Sequence, residues 1–176
     1  MIINKNKTVC FSGHRPEKLF DGATVSSEPV KRLLSIVYVA IDEAIREGYD
    51  TFITGMARGV DLWAGSLLLE FKRRYPHIKI VCAIPFRDQL APLEGEDRIS
   101  YLAIMSMAEE VVYISENYTR DCMKKRNYFM VDNSSKLIAV VRDWRSGTGQ
   151  TIRYAQKKGL ATRIIDVEAN MPMFLA

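Results

Sequence analysis

The stretch TFITGMARGVDLWAGSLLLEFKRRYPHIKIVCAI (residues 51–84) decides the fold class. It begins with the apolar run Thr51–Thr54, turns through two glycines, and continues over Leu62–Arg74 as an apolar segment of helical length. It ends with the longer apolar run Ile78–Ile84. A strand, a helix and a second strand in this order predict a β-α-β unit, in which the two strands are parallel.

The same alternation extends outward from this unit along the chain. Continuously apolar strands such as Val81–Ile84 are typical of a parallel sheet that is covered on both faces. We therefore predict an α/β fold in three layers, with a mostly parallel sheet of about six strands and helices on both faces, as a single domain over residues 1–176. The predicted strands are 8–11, 51–54, 78–84, 111–114, 136–141 and 162–167, and the predicted helices are 30–45, 62–74, 101–108, 121–133 and 149–158.

Composition excludes several classes of protein. With 48% apolar and 26% charged residues over 176 positions, the chain is neither disordered nor fibrous. Its longest apolar runs are far shorter than a bilayer span, and its N-terminal stretch, Met1–Lys7, lacks the apolar core of a signal peptide. The cysteines at 10, 82 and 122 are odd in number and form no CxxC pair. We expect reduced thiols, no metal site and a cytoplasmic protein that does not enter a membrane.

Charge is distributed unevenly along the chain. Residues 118–163 carry 11 Lys and Arg against 3 Asp and Glu, whereas the whole chain has a net charge of +4. A basic segment is typical of a protein that binds a phosphate-bearing partner, although a solvated basic surface would have the same composition.

The loops that follow the predicted strands are the places to look for chemistry, because ligands of parallel sheets bind at the carboxyl ends of the strands. The first loop, Ser12–Pro16, offers a hydroxyl at Ser12, a tight turn at Gly13 and a guanidinium at Arg15 that suits a phosphate. His14 is a candidate acid or base, but the sequence shows no partner for it.

The second loop, Thr54–Asp61, precedes the helix of the β-α-β unit. Two glycines, Gly55 and Gly59, bracket Arg58 close to the helix N-terminus, where free N–H groups and the helix dipole favour an anion. Asp61 is as well suited to capping this helix as to contacting a ligand.

Two further loops and one helix complete the candidate site. After the third strand, Phe86 is able either to stack on a base or to close the edge of the core. After the fifth, residues 143–151 combine two glycines, hydroxyls and an arginine in a second candidate phosphate cradle, although Ser146 and Thr148 also suit helix capping. Asn127 interrupts a helical face that it shares with Met123 and Met130, so we expect it to bond a neighbouring loop or a ligand.

Several segments together carry a family resemblance. FSGHRPEKL, ITGMARGVDLWA, IPF and MKKRNYFMVDNSSKLIAVVRD followed by SGTGQT resemble the YpsA-like branch of the SLOG superfamily. The superfamily includes the DNA-processing protein DprA/Smf and the LOG phosphoribohydrolases. The resemblance implies a Rossmann-like fold that binds a nucleotide, a nucleotide derivative or nucleic acid at the strand ends. The loops and this resemblance together give the candidate ligand-binding residues Ser12, Gly13, His14, Arg15, Thr54, Gly55, Met56, Arg58, Gly59, Asp61, Pro85, Phe86, Asn127, Asp132, Asp143, Gly147, Thr148 and Thr151.

Three functions are compatible with these residues. The first is regulatory sensing of a small nucleotide-derived ligand, with no definite cofactor. The second is hydrolysis of a nucleotide N-glycosidic bond, which needs a carboxylate; Thr151 stands where LOG hydrolases carry a glutamate, which argues against it. The third is DprA-like binding of single-stranded DNA, which the basic segment 118–163 favours. The apolar helix Leu62–Phe71 is either buried in one subunit or the contact of a homo-oligomer. The candidate carboxylates for hydrolysis are Asp61, Asp88, Asp132 and Asp143.

Overall fold

A computed structural model of the chain describes residues 3–21 and 23–174. Met1 and Ile2 of the N-terminal stretch, like the last two residues of the predicted domain, lie outside the described part. Strands and α-helices alternate along the described residues in the order β1 (Thr8–Gly13), α1 (Pro16–Leu19), α2 (Glu28–Arg46), β2 (Thr51–Thr54), α3 (Val60–Arg74), β3 (Lys79–Ile84), α4 (Gly95–Met107), β4 (Glu110–Tyr113), α5 (Cys122–Asp132), β5 (Lys136–Val141), α6 (Gly147–Lys157), β6 (Ala161–Asp166) and α7 (Val167–Asn170).

The six strands form one parallel sheet in the order β4-β3-β2-β1-β5-β6. The first four strands are laid down in one direction, and the chain then returns to the other side of β1 to place β5 and β6. β1 and β5 are therefore neighbours at the point where the strand order reverses, with Val9 opposite Lys136 and Gly13 opposite Val140. Ligand crevices of such sheets lie at the carboxyl ends of the strands at this switch point.

The sheet separates two apolar cores, which confirms the predicted three layers. Strand residues alternate between them: Val9 and Phe11 pack with α2, α3 and α4, whereas Cys10 packs with α5 and α6. Helix α3 lies between α2 and α4, so that Leu62, Leu68 and other apolar residues of this helix are buried by the chain itself. Self-association of the chain stays a prediction, because the apolar side of α3 is buried within one subunit and is not evidence for a partner.

Element boundaries differ from the sequence prediction in a few places. Helix α4 begins at Gly95 rather than at residue 101, and α6 begins at Gly147 rather than at residue 149. The sequence analysis missed α1 and α7 because four residues are too few for a hydrophobic period to be visible.

Cysteine burial and helix length bear on the remaining expectations. Cys10, Cys82 and Cys122 are buried free thiols, and burial raises the pKa of Cys10 and of Cys82 to about 12. No helix within residues 3–21 and 23–174 is long and apolar enough to cross a membrane. The same residues contain no cluster of three or more His, Cys, Asp or Glu side chains that could hold a metal ion.

His14 ties the ends of β1 and β5 together. Its Nε2 accepts hydrogen bonds from the backbone N–H of Arg142 at 3.0 Å and of Asp143 at 3.2 Å. Burial of the ring lowers the pKa of His14, and the nearby charge of Lys18 lowers it further. Because Nε2 is an acceptor, the ring is neutral and carries its proton on Nδ1. His14 therefore links the ends of β1 and β5 through hydrogen bonds, and its Nε2 is not free to act as an acid or a base.

These hydrogen bonds of His14 make the free energy of unfolding depend on pH. The folded state depresses the pKa of His14, so the unfolded chain takes up a proton first as the pH falls below the ordinary histidine value of about 6.5. The free energy of unfolding should then fall by up to about 1.4 kcal/mol for each pH unit, until His14 is protonated in the folded state too. Urea unfolding of wild type and His14→Gln between pH 7.5 and 5.5 measures this loss.

His14→Gln should have a lower free energy of unfolding than wild type at pH 7.5, but it should lose less of that free energy as the pH falls. His77→Gln, which alters the exposed second histidine, is the matched control and should keep the wild-type slope. Equal slopes in wild type and His14→Gln would contradict the assignment.

Candidate functional site

A cavity of about 450 Å³ lies at the switch point between β1 and β5. We call it the switch-point cavity. Its walls come from the loop after β1, the first turn of α3, one face of α5 and the N-terminus of α6. Its lining residues are Ser12, Gly13, His14, Arg15, Glu17, Lys18, Ala57, Asp61, Met123, Arg126, Asn127, Ser146, Gly147 and Thr148.

The N-terminus of α6 faces this cavity with unused donors. Ser146 is the N-cap, and its Oγ accepts a hydrogen bond from the Gly149 N–H at 3.4 Å. The N–H groups of Gly147 and Thr148 have no acceptor among the described residues. A Cβ on Gly147 would meet nothing within 4 Å, so the space beside these donors is open. Free N–H groups at the positive end of a helix dipole are suited to an anion.

A buried ion pair forms the floor of the site. Arg126 Nη1 lies 3.0 Å from Asp61 Oδ2, and the two side chains are only 6% and 5% exposed. The same Nη1 also donates to the carbonyl oxygen of Gly55. A Cβ on Gly55 would lie 1.8 Å from Nη1, so the guanidinium occupies the space that this glycine leaves free. Thr54 supports the loop, because its Oγ donates to the Asp61 carbonyl oxygen at 2.9 Å.

The ion pair leaves polar atoms without partners. Asp61 Oδ1 and Arg126 Nε are both buried and unbonded among the residues that the structure describes. Burial raises the pKa of Asp61, and the adjacent Arg126 guanidinium offsets part of that rise. Unsatisfied buried groups are uncommon in native folds and often mark a place where a ligand or water bonds.

Two glycines let the loops after β1 and β2 approach each other. Gly59 has a φ of +86°, and a Cβ there would lie 2.5 Å from the His14 carbonyl oxygen. A Cβ on Gly13 would lie 2.4 Å from the Cβ of Val60. These two predicted site residues therefore act through backbone packing.

Asn127 bonds the neighbouring helix α6 rather than a loop, and its predicted contact with a ligand stays a prediction. It lines the switch-point cavity, and its Nδ2 donates to Thr151 Oγ1 at 3.0 Å. Thr151 in turn donates to the carbonyl oxygen of Gly147 at 2.9 Å. The pair thus positions the N-terminus of α6 against α5.

A smaller cavity of about 250 Å³ adjoins the first one, and we call it the adjoining cavity. The two share Arg15, Ala57 and Met123 in their walls. Arg58 lines the adjoining cavity, but its guanidinium is paired with Asp97, 2.8 Å away. The complete lining is Arg15, Met56, Ala57, Arg58, Phe86, Gln89, Pro92, Leu93 and Met123.

The structure thus brings together more than half of the predicted site residues. Eight line the switch-point cavity: Ser12, Gly13, His14, Arg15, Asp61, Asn127, Gly147 and Thr148. Three more line the adjoining cavity: Met56, Arg58 and Phe86. Seven line neither of the two, namely Thr54, Gly55, Gly59, Pro85, Asp132, Asp143 and Thr151.

Several of those seven have other partners. Asp132 points to the neighbouring helix, where it accepts a hydrogen bond from the Tyr154 hydroxyl at 3.0 Å and pairs with Lys158 at 3.1 Å. Asp143 is exposed and accepts from the backbone N–H of Arg145. Pro85 is buried directly after β3.

Sequence analysis missed Arg126, the most buried cation of the site. One signal was present: a buried aspartate at the start of an apolar helix needs a positive partner. Arg126 also immediately precedes Asn127, which the broken helical face had already singled out. The sequence alone does not show that α5 and α3, on opposite faces of the sheet, meet at its edge.

Comparison with known proteins gives relatives over most of the chain. The SPbeta prophage-derived protein YoqJ of Bacillus subtilis is 29% identical over 146 residues, which cover 76% of this chain and 85% of that protein. A UPF0398 protein of Bacillus thuringiensis is 27% identical over 156 residues, covering 86% of this chain and 83% of the relative.

Solved structures of similar fold include DNA processing protein A (DprA) from two bacteria. The Streptococcus pneumoniae protein superposes with a TM-score of 0.61 at 16% identity, covering 91% of this chain and 50% of that structure. The Helicobacter pylori protein gives 0.61 at 17% identity, with 92% and 66% covered. These likenesses confirm the Rossmann-like fold. A model of the YspA SLOG family matches residues 9–169. The chain therefore belongs to the YspA SLOG family, as its sequence resemblance predicted.

Proposed function

We propose that the chain is a sensor that binds a nucleotide or nucleotide-derived ligand, with the ligand's phosphate in the switch-point cavity. Family membership supports nucleotide or nucleic-acid binding in general. The observation that carries the finer proposal is the pair of free N–H groups at Gly147 and Thr148, which face the same cavity as Arg15.

Charge around the cavity supports an anionic ligand. Asp61 and Arg126 neutralise each other, and Glu17 adds one negative charge at the entrance. Arg15 and Lys18, together with the helix dipole of α6, leave the remaining balance positive. A phosphate here would receive charge-assisted hydrogen bonds, which contribute about 1.5–3 kcal/mol each.

The positions of the candidate carboxylates favour a protein that binds a nucleotide without hydrolysing it. Of the four candidate carboxylates, only Asp61 lines the switch-point cavity, and Arg126 holds its Oδ2. Thr151, at the position where LOG hydrolases carry glutamate, uses its hydroxyl to bond Gly147 and Asn127. Release of free base from a nucleoside monophosphate would instead favour the hydrolase alternative.

A charge placed at the helix N-terminus tests the phosphate site. Gly147→Asp introduces a carboxylate beside the free N–H groups, and the backbone and surrounding space at Gly147 accept a side chain. An acidic residue in the first turn favours the helix, so the fold should be retained or slightly stabilised. It repels a phosphate, so affinity for the bound nucleotide should fall at least tenfold.

The ligand for that test comes from thermal unfolding with AMP, GMP, CMP, UMP, NAD and ADP-ribose, since a ligand at 100 times its Kd adds about 2.7 kcal/mol of stability. Calorimetric titration then compares wild type with Gly147→Asp. Gly147→Asn is the matched neutral control and should lose much less affinity. Unchanged affinity in Gly147→Asp would refute the phosphate site.

A second candidate function is binding of single-stranded DNA, the property that the Helicobacter pylori DprA study names for that protein. One surface of α5 and α6 favours it. The rings of Tyr128 and Tyr154 stack with centroids 3.8 Å apart, and Lys124 and Lys158 lie over them at 5.4 and 5.3 Å. Aromatic rings among basic side chains are typical of single-strand binding surfaces.

Salt dependence distinguishes this candidate. Binding of a labelled oligothymidylate, followed by fluorescence anisotropy, should weaken steeply between 50 and 200 mM salt, because each phosphate contact releases counterions. Lys124→Glu should weaken it further, whereas Lys31→Glu on the exposed side of α2 should not. Binding that is absent or indifferent to salt would exclude this function.

A further inference from the structure

The adjoining cavity is chemically different from the switch-point cavity. Apart from two arginines and a glutamine, its lining consists of apolar residues, among them Met56, Phe86, Pro92 and Leu93. Arg58 is already paired with Asp97 at 2.8 Å, which raises the pKa of Arg58 and neutralises its charge locally. An apolar group suits this space better than a second phosphate does.

Gln89 is the buried polar group of this cavity. It lies on the 3₁₀ turn Arg87–Leu90 after β3 and is only 7% exposed. Its Oε1 accepts a hydrogen bond from the Tyr101 hydroxyl at 3.4 Å. Burial raises the pKa of Tyr101, which keeps that hydroxyl protonated as the donor.

The other end of the Gln89 amide is unused. Its Nε2 group, with two N–H donors, bonds no acceptor among residues 3–21 and 23–174. This nitrogen is not among the fully buried unpartnered atoms, so it is accessible, and the residue lines the cavity. A free donor on the wall of a largely apolar cavity is available to an acceptor on a ligand. With Oε1 accepting from the Tyr101 hydroxyl, Gln89 offers its Nε2 donors to a ligand in the cavity.

Phe86 supplies the aromatic surface of the same cavity. Its ring is half-buried and held edge-on by Tyr118, with centroids 5.5 Å apart and an interplanar angle of 87°. Met56, on the opposite loop, is fully buried and has a φ of +60°. Backbone strain of this kind is found mostly where a fixed geometry serves a site.

From this geometry we infer that the adjoining cavity holds the nucleobase of the ligand, and that Gln89 determines base specificity. The inference rests on the proposed function, because the shared wall of Arg15, Ala57 and Met123 lets one nucleotide reach both cavities. The Nε2 group of Gln89 donates to an acceptor on the base, either a carbonyl oxygen or an unprotonated ring nitrogen. The ligand class is therefore a nucleoside phosphate rather than a simple sugar phosphate.

Comparison of nucleotides with ribose 5-phosphate tests the inference. Calorimetric titration with AMP, GMP, CMP, UMP and ribose 5-phosphate measures what the base adds to binding. At least one nucleotide should bind wild type tenfold or more tightly than ribose 5-phosphate. Gln89→Leu should reduce that preference about fivefold or more and leave the affinity for ribose 5-phosphate unchanged.

Two more variants test whether a loss of the preference comes from the missing donor rather than from unfolding. Gln89→Glu keeps an oxygen for Tyr101 but removes the donor, so it should lose the same preference. Gln156→Leu, at an exposed position on α6, is the matched control and should keep it. Thermal unfolding of each variant without ligand confirms that the fold is intact.

The outcomes separate this inference from the proposed function. If wild type binds ribose 5-phosphate and every nucleotide equally, the adjoining cavity does not hold the nucleobase, while the phosphate site in the switch-point cavity is still supported. If Gln89→Leu and Gln89→Glu keep the wild-type preference, Gln89 does not determine specificity. If neither ribose 5-phosphate nor any nucleotide binds, both the proposed phosphate site and the proposed nucleobase site are refuted.

Discussion

The ion pair between Asp61 and Arg126 is the interaction on which the site depends. Asp61 belongs to α3 and Arg126 to α5, and these helices cover opposite faces of the sheet. The pair joins them across the sheet edge, in the notch where Gly55 has no side chain. Loss of one partner from a buried pair typically costs about 3–5 kcal/mol, because the other charge is left uncompensated. This contact therefore fixes the distance between two walls of the cavity.

The pair also determines where charge is available. Because Arg126 is neutralised by Asp61 and bonded to a backbone carbonyl, the deepest guanidinium of the cavity is already occupied. Attraction for an anion comes instead from the exposed Arg15 and Lys18 and from the end of α6. A phosphate would thus be held near the entrance, while polar groups of a ligand would meet the pair below. The site is positive at its mouth and nearly neutral at its base.

The sequence predicted the sheet well because its strands are continuously apolar and bounded by turns. The glycine loops that follow β1, β2 and β5 were correctly expected at one edge, since parallel strands end together. What a side chain bonds to was less predictable. Thr151 lies in the first turns of α6 and bonds Asn127, and Asp132 lies in the expected helix but pairs with Lys158. Hydrophobic spacing identifies the buried face of a helix, but not which neighbour a polar residue meets. Arg126 went unpredicted because its partners Gly55 and Asp61 are 71 and 65 positions away in the sequence.

The hydrogen bonds of His14 connect residues 128 and 129 positions apart in the chain. Contacts of this kind close long loops, and their formation has to overcome the entropy of loop closure. The cavity lies where β5 pairs with β1, so a conformation without that pairing has no site. A molecule that binds there stabilises only conformations in which β5 is paired with β1, so its binding free energy adds to the stability of that pairing.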